Sequence, residues 1–327
     1  MTEKVTHLDA EGQPLPDEYL HDGHIRRVLH EFGASGFQFY KAVHKRMDYQ
    51  PGDIVAEVGA GMGDDGKEIA WVYRPRVVFL IEPASEDIDS RYLALGIDLS
   101  GTKVRGVEVL PSAMLSTTVS EMNNLSSSVL KGRTTYLQPV KTGAEQLGFL
   151  PDNSVSKYSA IHSIYEWQDL HAGMREAVRC MRDDAKGVIV TNGPDDKPVF
   201  RDMLNDAKGI LDELSDSDEE YVTPKTRSSK INYFQAAELL SQYFEQVNII
   251  PYRDRMIITP ERAPFFIWSF NSYRKDFYPA ITNEQLPHWQ AARRAALLDR
   301  LEREIGQHGY LEDGIDIAAI EFSVPKK

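Results

Sequence analysis

Four groups of residues have types and spacings suited to chemistry. The first is Glu57-x-Gly59-x-Gly61-x-Gly63, with Gly66 just beyond. Glycines lack a β-carbon, so a ligand can approach bare backbone, and amides that open a helix favour an anionic group. The second is Glu82, which ends the apolar run Val-Val-Phe-Leu-Ile and can accept hydrogen bonds from both hydroxyls of a ribose. The third is Gly143-Ala144-Glu145. The fourth is His162-Ser-Ile-Tyr165-Glu166-Trp167, in which the imidazole titrates near neutrality and suits proton transfer, with Tyr165 and Glu166 next to it. A histidine bonded to backbone for structural reasons is the plainer alternative for His162.

These groups need a scaffold that carries them to one edge. The apolar stretch 53–58 reads as a strand and 67–72 as the start of a helix. Further strands are expected at 77–81, 136–140, 158–161 and 187–191, with a helix over about 169–181 and a turn at 183–187. Later come helices at 199–214 and 232–243, a sixth strand at 244–250, a long charged helix at 285–308 and a final strand at 316–324. In open α/β sheets, ligands sit outside the carboxyl ends of strands. Glu57 to Gly63, Glu82, Gly143 to Glu145, His162 to Trp167 and Asn192 would all fall on that edge.

Two cofactors fit the glycines. Gly61-x-Gly63-x-x-Gly66 fits the dinucleotide fingerprint of an NAD site, with an acid downstream. The acid-first form, Glu57-x-Gly59-x-Gly61-x-Gly63, resembles the first motif of class I S-adenosylmethionine-dependent methyltransferases. There the acid lies near the methionine end of the cofactor, where a buried carboxylate can engage the amino group; NAD has no such cation. The string Thr142-Gly-Ala-Glu-Gln-Leu-Gly-Phe-Leu-Pro-Asp-Asn-Ser-Val155 resembles the family's Asp-Ala-Glu-x-Leu-Pro-Phe-x-Asp-x-Ser-Phe-Asp. Ala144, Glu145, Leu147, Phe149, Asp152, Asn153 and Ser154 match, with one extra residue before Pro151. Gly143 stands where the family has the adenine-facing Asp, which leaves backbone contacts from Ala144 and Glu145. The two motifs together favour S-adenosylmethionine over NAD.

Two looser resemblances concern the ends. Tyr19-Leu-His-Asp-Gly-His24 is similar to a Tyr-x-His-Gly lead in the ubiquinone-biosynthesis-like group, whose leading helices close over the cofactor. Surface histidines on a packing helix are the ordinary alternative. The aromatic-rich segment 264–279 and the helix after it resemble the layout of trans-aconitate methyltransferase and its relatives, in which such an excursion helps wall the substrate pocket.

The resemblance implies a Rossmann-like α/β fold. Its sheet would be seven-stranded and mostly parallel, with helices on both faces, the last strand antiparallel, and helical cap insertions. Residues 1–48 would be an N-terminal helical lead or lid, and 49–327 the methyltransferase domain, with insertions at about 87–134, 199–232 and 260–310. The first insertion reads as one or two helices and a mobile loop. The implied cofactor set is Glu57, Gly59, Ala60, Gly61, Gly63, Glu82, Pro83, Gly143, Ala144, Glu145, His162, Tyr19 and His24. His162, Tyr165 and Glu166 are the candidates for catalysis, and Tyr40, Trp167, Asn192, Trp268 and Tyr273 for the substrate. The expected activity is methylation of a small molecule at O, N or C. An oxygen of high pKa would need a base; a carboxylate or an activated carbon would not. The rivals are a cofactor-binding partner subunit or regulator without methyl transfer, and an NAD-dependent oxidoreductase.

Composition bounds these readings. The 327 residues suit one large domain or a core with an appended cap. A net charge of −13 argues against nucleic-acid and anionic-membrane partners, which need a basic surface. Cys180 is the single cysteine, so neither a disulfide framework nor a cysteine metal cluster is expected. His21-x-x-His24 has no third ligand at metal spacing, and no metal is expected. The start Met1-Thr-Glu-Lys opens no signal-like segment, and no apolar run is long enough to span a bilayer; a soluble, cytoplasmic protein is the expectation. The oligomeric state is not encoded in any pattern we recognise.

Overall fold

The run Ile54–Val58 is apolar except for Glu57, and it forms strand β1, buried at all five positions. Continuous burial of this kind belongs to a parallel strand covered on both faces. The computed structural model describes residues 39–61, 63–83, 105–124, 134–196, 199, 231–259, 299 and 302–326. Among them β2 (Val77–Ile81), β3 (Val107–Val109), β4 (Thr135–Val140), β5 (Val155–Ile161), β6 (Met181–Asn192), β7 (Phe244–Ile258) and β8 (Leu311–Pro325) complete one sheet. Its order is β3-β4-β2-β1-β5-β6-β8-β7. β8 runs antiparallel to β6 and β7, and the pairings among the other described strands are parallel.

This is the expected Rossmann-like arrangement, with eight strands instead of seven. The additional strand is β3, inside the insertion read as helices and loop. It pairs in parallel with β4, Val107 to Val109 against Thr135 to Leu137. Three residues are too few to display a period-two pattern, so only the edge of β4 reveals it. Helix Leu115–Asn124 follows in the same insertion.

Helices cover both faces. Helix α1, over 39–47, packs Tyr40, Val43 and Met47 with Val55, Val78, Leu80, Val188 and Val190. On the other face, helices Leu170–Cys180 and Tyr233–Tyr243 bury Met174, Ala177, Cys180, Ala236 and Leu240 with Ala56, Phe79, Tyr158 and Ile189. Alternation along β1 decides the sides: Ile54, Ala56 and Val58 share one face, Val55 and Glu57 the other. The helix Tyr233–Tyr243 opens with a capping box, in which Asn232 accepts from the Phe234 and Gln235 amides and Gln235 returns to the Asn232 amide.

Several boundaries differ from expectation. The helix after the glycine loop, α2 (Asp64–Glu68), begins three residues early, with Gly63 in the left-handed region as its N-cap. Gly66 is therefore inside the helix, which continues as a π-helical turn, Ile69–Tyr73. No separate turn stands at 183–187: β6 already starts at Met181, and Val155 pairs with Met181 while Lys157 pairs with Lys186, so the intervening residues bulge. β7 and β8 stay paired from Phe244 and Pro325 to Ile258 and Leu311. Their added length is hard to read because the segment Arg253-Asp-Arg255 is polar on a half-exposed strand.

Tyr19, His24, Trp268 and Tyr273 lie outside the described residues, as do the lead before 39, the helix expected at 199–214 beyond its first residue, and most of the 199–232 and 260–310 insertions. Residues 302–308, the end of the helix expected at 285–308, are helical. No helix among the described residues is long and apolar enough to cross a membrane.

Candidate active site at the carboxyl edge of the sheet

β1 and β5 are the neighbours at which the strand order reverses, with β2 and β4 on one side and β6 on the other. Such a switch point opens a crevice at the carboxyl ends of the strands. The glycine loop leaves β1 there. Gly59, Gly61 and Gly63 have φ of 72°, 57° and 77°, a region that glycine enters without the penalty a β-carbon brings. The Gly59 and Ala60 amides both donate to the Ile81 carbonyl, at 2.8 and 3.0 Å, which folds the loop over the end of β2. A β-carbon on Gly59 would stand 2.2 Å from Ser163 Cβ, and Ser163 Oγ donates to the Val58 carbonyl at 2.6 Å. The loop and the turn after β5 thus touch through these two residues. At Gly61, among the described residues and apart from its chain neighbours, the nearest heavy atom to a built β-carbon is 4.0 Å away.

Acids surround the loop. Glu82 is buried and accepts the Gly61 amide at 2.9 Å through Oε2, so the carboxylate at the tip of β2 shapes the loop directly. Pro83, next to it, is exposed. Glu57 is 2% exposed. The Gly66 amide donates to its carboxyl group, and Oε2 has no partner among the described residues. Burial, then the nearby Asp65, Asp64 and Glu82, hold the Glu57 carboxyl well above the ordinary carboxylate range, against the smaller opposite effect of the Gly66 amide. Burial first, then Glu57, Asp65, Tyr73 and Asp53, push the Tyr49 phenol well above its usual value. His44 Nε2 lies 3.1 Å from Asp65 Oδ1, which joins α1 to α2.

On the other side of the crevice, His162 follows β5 with φ 50°, and its amide donates to the Val190 carbonyl at 2.8 Å. The Tyr40 hydroxyl of α1 is hydrogen-bonded to His162 Nε2, with ring centroids 5.8 Å apart. Tyr40, expected against the substrate, is 3% exposed, and its hydroxyl is engaged by this bond. Tyr165 and Glu166 are half-buried on the short helical turn Ile164–Glu166. Trp167 is buried, and a β-carbon on Gly173 would stand 2.6 Å from its Cε3, so its ring packs on the helix Leu170–Cys180. Asn192 ends β6, half-buried, and its Oδ1 has no partner among the described residues.

The third strand end explains the departure at Gly143. Glu145 Oε1 accepts the Gln168 and Asp169 amides at 2.6 and 3.2 Å, ahead of the helix Leu170–Cys180. A side chain at 143 would begin 2.7 Å from Glu145 Oε2, so an aspartate there would set carboxylate against carboxylate. Ala144 beside it is buried.

The structure thus gathers Gly59 to Gly63, Glu82, Gly143 to Glu145, His162 to Glu166 and Asn192 at one edge, with Glu57 beneath the loop and Trp167 packed below. Sequence reasoning missed His44, Tyr49, Asp65 and Ser163. For His44 a signal exists: it stands four residues after Tyr40, so two polar groups share the buried face of one helix. The others show nothing in their local pattern.

No protein-family model matches the chain, and no curated protein sequence matches it. Solved structures do. One, described as a methyltransferase from an antibiotic biosynthesis pathway of Anabaena variabilis, is 16% identical, with 88% of this chain and 97% of that one covered and a TM-score of 0.47. The cyclase SpnF is 14% identical, with 90% of this chain and 83% of that one covered and a TM-score of 0.45. A phosphoethanolamine methyltransferase of Haemonchus contortus, solved with S-adenosylhomocysteine, is 11% identical, with 96% of this chain and 62% of that one covered and a TM-score of 0.42.

Proposed function

We propose that this chain transfers the methyl group of S-adenosylmethionine to a small-molecule acceptor. The observation that carries the reading is a buried acid, Glu57, beneath a three-glycine loop whose Gly61 amide is held by Glu82, at the switch point of the sheet. A buried carboxylate that lacks, among the described residues, a partner on one oxygen is costly to ionise, and a cationic amino group would reverse that cost. NAD brings no such amine. A carboxylate has about four acceptor positions, so Glu82 can hold the Gly61 amide and ribose hydroxyls together. The backbone of Gly143 to Glu145 is assigned to the base, with Tyr19 and His24 kept from the sequence resemblance.

When bound, the sulfonium supplies an activated leaving group. The protein's work is alignment and exclusion of water. His162, Tyr165, Glu166 and Asn192 are assigned to the acceptor side of the edge, with Trp268 and Tyr273 kept there from the sequence. A small molecule is favoured over nucleic acid by the net charge of −13.

Calorimetry tests the cofactor. S-adenosylhomocysteine should bind at micromolar affinity and NAD should not; heat from NAD alone would reject the reading. Transfer of labelled methyl from S-adenosylmethionine into a small-metabolite fraction then separates an enzyme from a binding protein that keeps the cofactor without turnover.

A further inference from the structure

Resting on the methyl-transfer reading, we infer that the site takes its cofactor in exchange for a proton: Glu57 is a neutral carboxylic acid in the ligand-free protein and a carboxylate once the ammonium of the cofactor's amino-acid end is bound at the loop. Glu57 is 2% exposed, and its backbone pairs with Leu80 of β2 and Ser159 of β5. The Gly66 amide donates to its carboxyl group, and a β-carbon on Gly66 would stand 2.3 Å from Oε2. Among the described residues Oε2 has no hydrogen-bond partner. An ionised carboxyl group accepts at about four positions, so one amide falls far short of replacing the water it would lose. A neutral acid needs much less, and the buried group keeps its proton.

The elements around Glu57 add acids. α2 brings Asp64 and Asp65, and the tip of β2 brings Glu82. Burial outweighs them, and Asp65 and Glu82 are engaged by His44 of α1 and by the Gly61 amide. Tyr49, after α1, has a buried phenol whose ionisation Glu57 opposes, and its ring packs against Tyr73. β5 contributes the uncharged Ser159, with His162 and its bond to Tyr40 beyond the strand end. Later in α2, Lys67 lies over the Trp71 ring, 4.6 Å from its centroid. Among the described residues, the charged side chains that act on Glu57 are thus acids, and a bound cation is what would ionise it.

The exchange balances. Before binding, the acid is neutral and the ligand's ammonium is positive; afterwards carboxylate and ammonium form a neutral pair, and the proton of Glu57 has passed to the buffer. Oε2 is covered, so the ammonium acts through its field, which is strong where little water intervenes. Nucleosides without the amine, 5′-methylthioadenosine among them, offer the same base and ribose and leave Glu57 protonated. Affinity for the amine-bearing ligand should fall about tenfold per pH unit below the point at which Glu57 ionises in the ligand-free protein, and level off above it.

Calorimetry of S-adenosylhomocysteine with the full chain, in buffers of different ionisation enthalpy, counts the protons without any turnover. At about pH 6 an ordinary glutamate is already ionised and has no proton to give. The wild-type chain should release close to one proton per ligand there, and Glu57→Gln close to none. Histidines that titrate in the same range remain in that variant, so a release that survives the substitution overturns the inference. Where the glutamine variant does not fold, 5′-methylthioadenosine on the wild type takes its place: it should bind without the release, and a release equal to that of S-adenosylhomocysteine overturns the assignment to Glu57. If S-adenosylhomocysteine binds the wild type and no proton leaves, the exchange falls and the cofactor reading stands. If it does not bind at all, both fall.

Discussion

The Glu57 carboxylate lies so close under Gly66 that a β-carbon there would stand 2.3 Å from Oε2, and 2.3 Å from Leu80 Cδ2. The absence of a side chain in the first turns of α2 is what lets an acid sit beneath the loop. Alanine would gain up to about 1 kcal/mol of helix propensity at this position. Overpacking of a buried contact costs about 1–3 kcal/mol and should win. Gly66→Ala is expected to lower the urea midpoint and weaken S-adenosylhomocysteine binding; a stabilised variant with unchanged binding would refute the contact.

Glu57 should leave a signature in the pH dependence of stability. Its folded value is raised well above the ordinary 4.5, by burial first and by the neighbouring acids second. The folded chain therefore keeps a proton that the unfolded chain has released. This contribution is fully present below the unfolded value and is lost as pH rises through the folded one. Thermal melts of the ligand-free protein from about pH 4.5 to about pH 8 should show stability falling, and Glu57→Gln should flatten the fall. A slope identical in both proteins would show that Glu57 ionises normally.

Glu82 is bonded to the Gly61 amide at 2.9 Å, so its loss should loosen the loop as well as remove the acceptor proposed for the ribose. Charge-assisted bonds of this kind are worth about 1.5–3 kcal/mol. Glu82→Ala should weaken S-adenosylhomocysteine by roughly that amount in calorimetry. Glu82→Gln, which keeps an acceptor for Gly61, should fall between the two. An unchanged dissociation constant for the folded alanine variant would remove Glu82 from the site.

Asp316, 2% exposed in β8, anchors the far end of the same edge. It accepts Arg253 Nε at 3.0 Å, the Tyr233 hydroxyl at 3.2 Å and the Asp195 amide at 3.3 Å. Removing it strips partners from a buried phenol and from the loop after β6. Asp316→Ala should lower stability by about 2–4 kcal/mol in urea titrations. The Arg253 side chain is 64% exposed, so Arg253→Ala should cost much less. Equal losses for both variants would show that the ion pair, and not the burial of Asp316, sets the effect.

What the sequence determined by itself is what short-range physics controls. Positive φ demands glycine at 59, 61 and 63; an apolar run ending in Glu82 makes a buried strand with an acid at its tip; Asn232 and Gln235 spell a helix start. The spacing of these signals was enough for the parallel sheet and for bringing the candidate residues to one edge of it. The tertiary structure alone decided what each polar group faces. Tyr40 meets His162 across 122 residues, and no local pattern reports a contact of that separation. Glu145, matched to a cofactor string, proves to hold the amides ahead of the helix Leu170–Cys180, and the aromatic Trp167 is spent on packing against Gly173. The three-residue β3 exists because the edge of β4 offers it hydrogen bonds, not because its own residues insist on a strand. Side-chain partners and edge strands depend on which surfaces folding brings together, and periodicity carries no record of that.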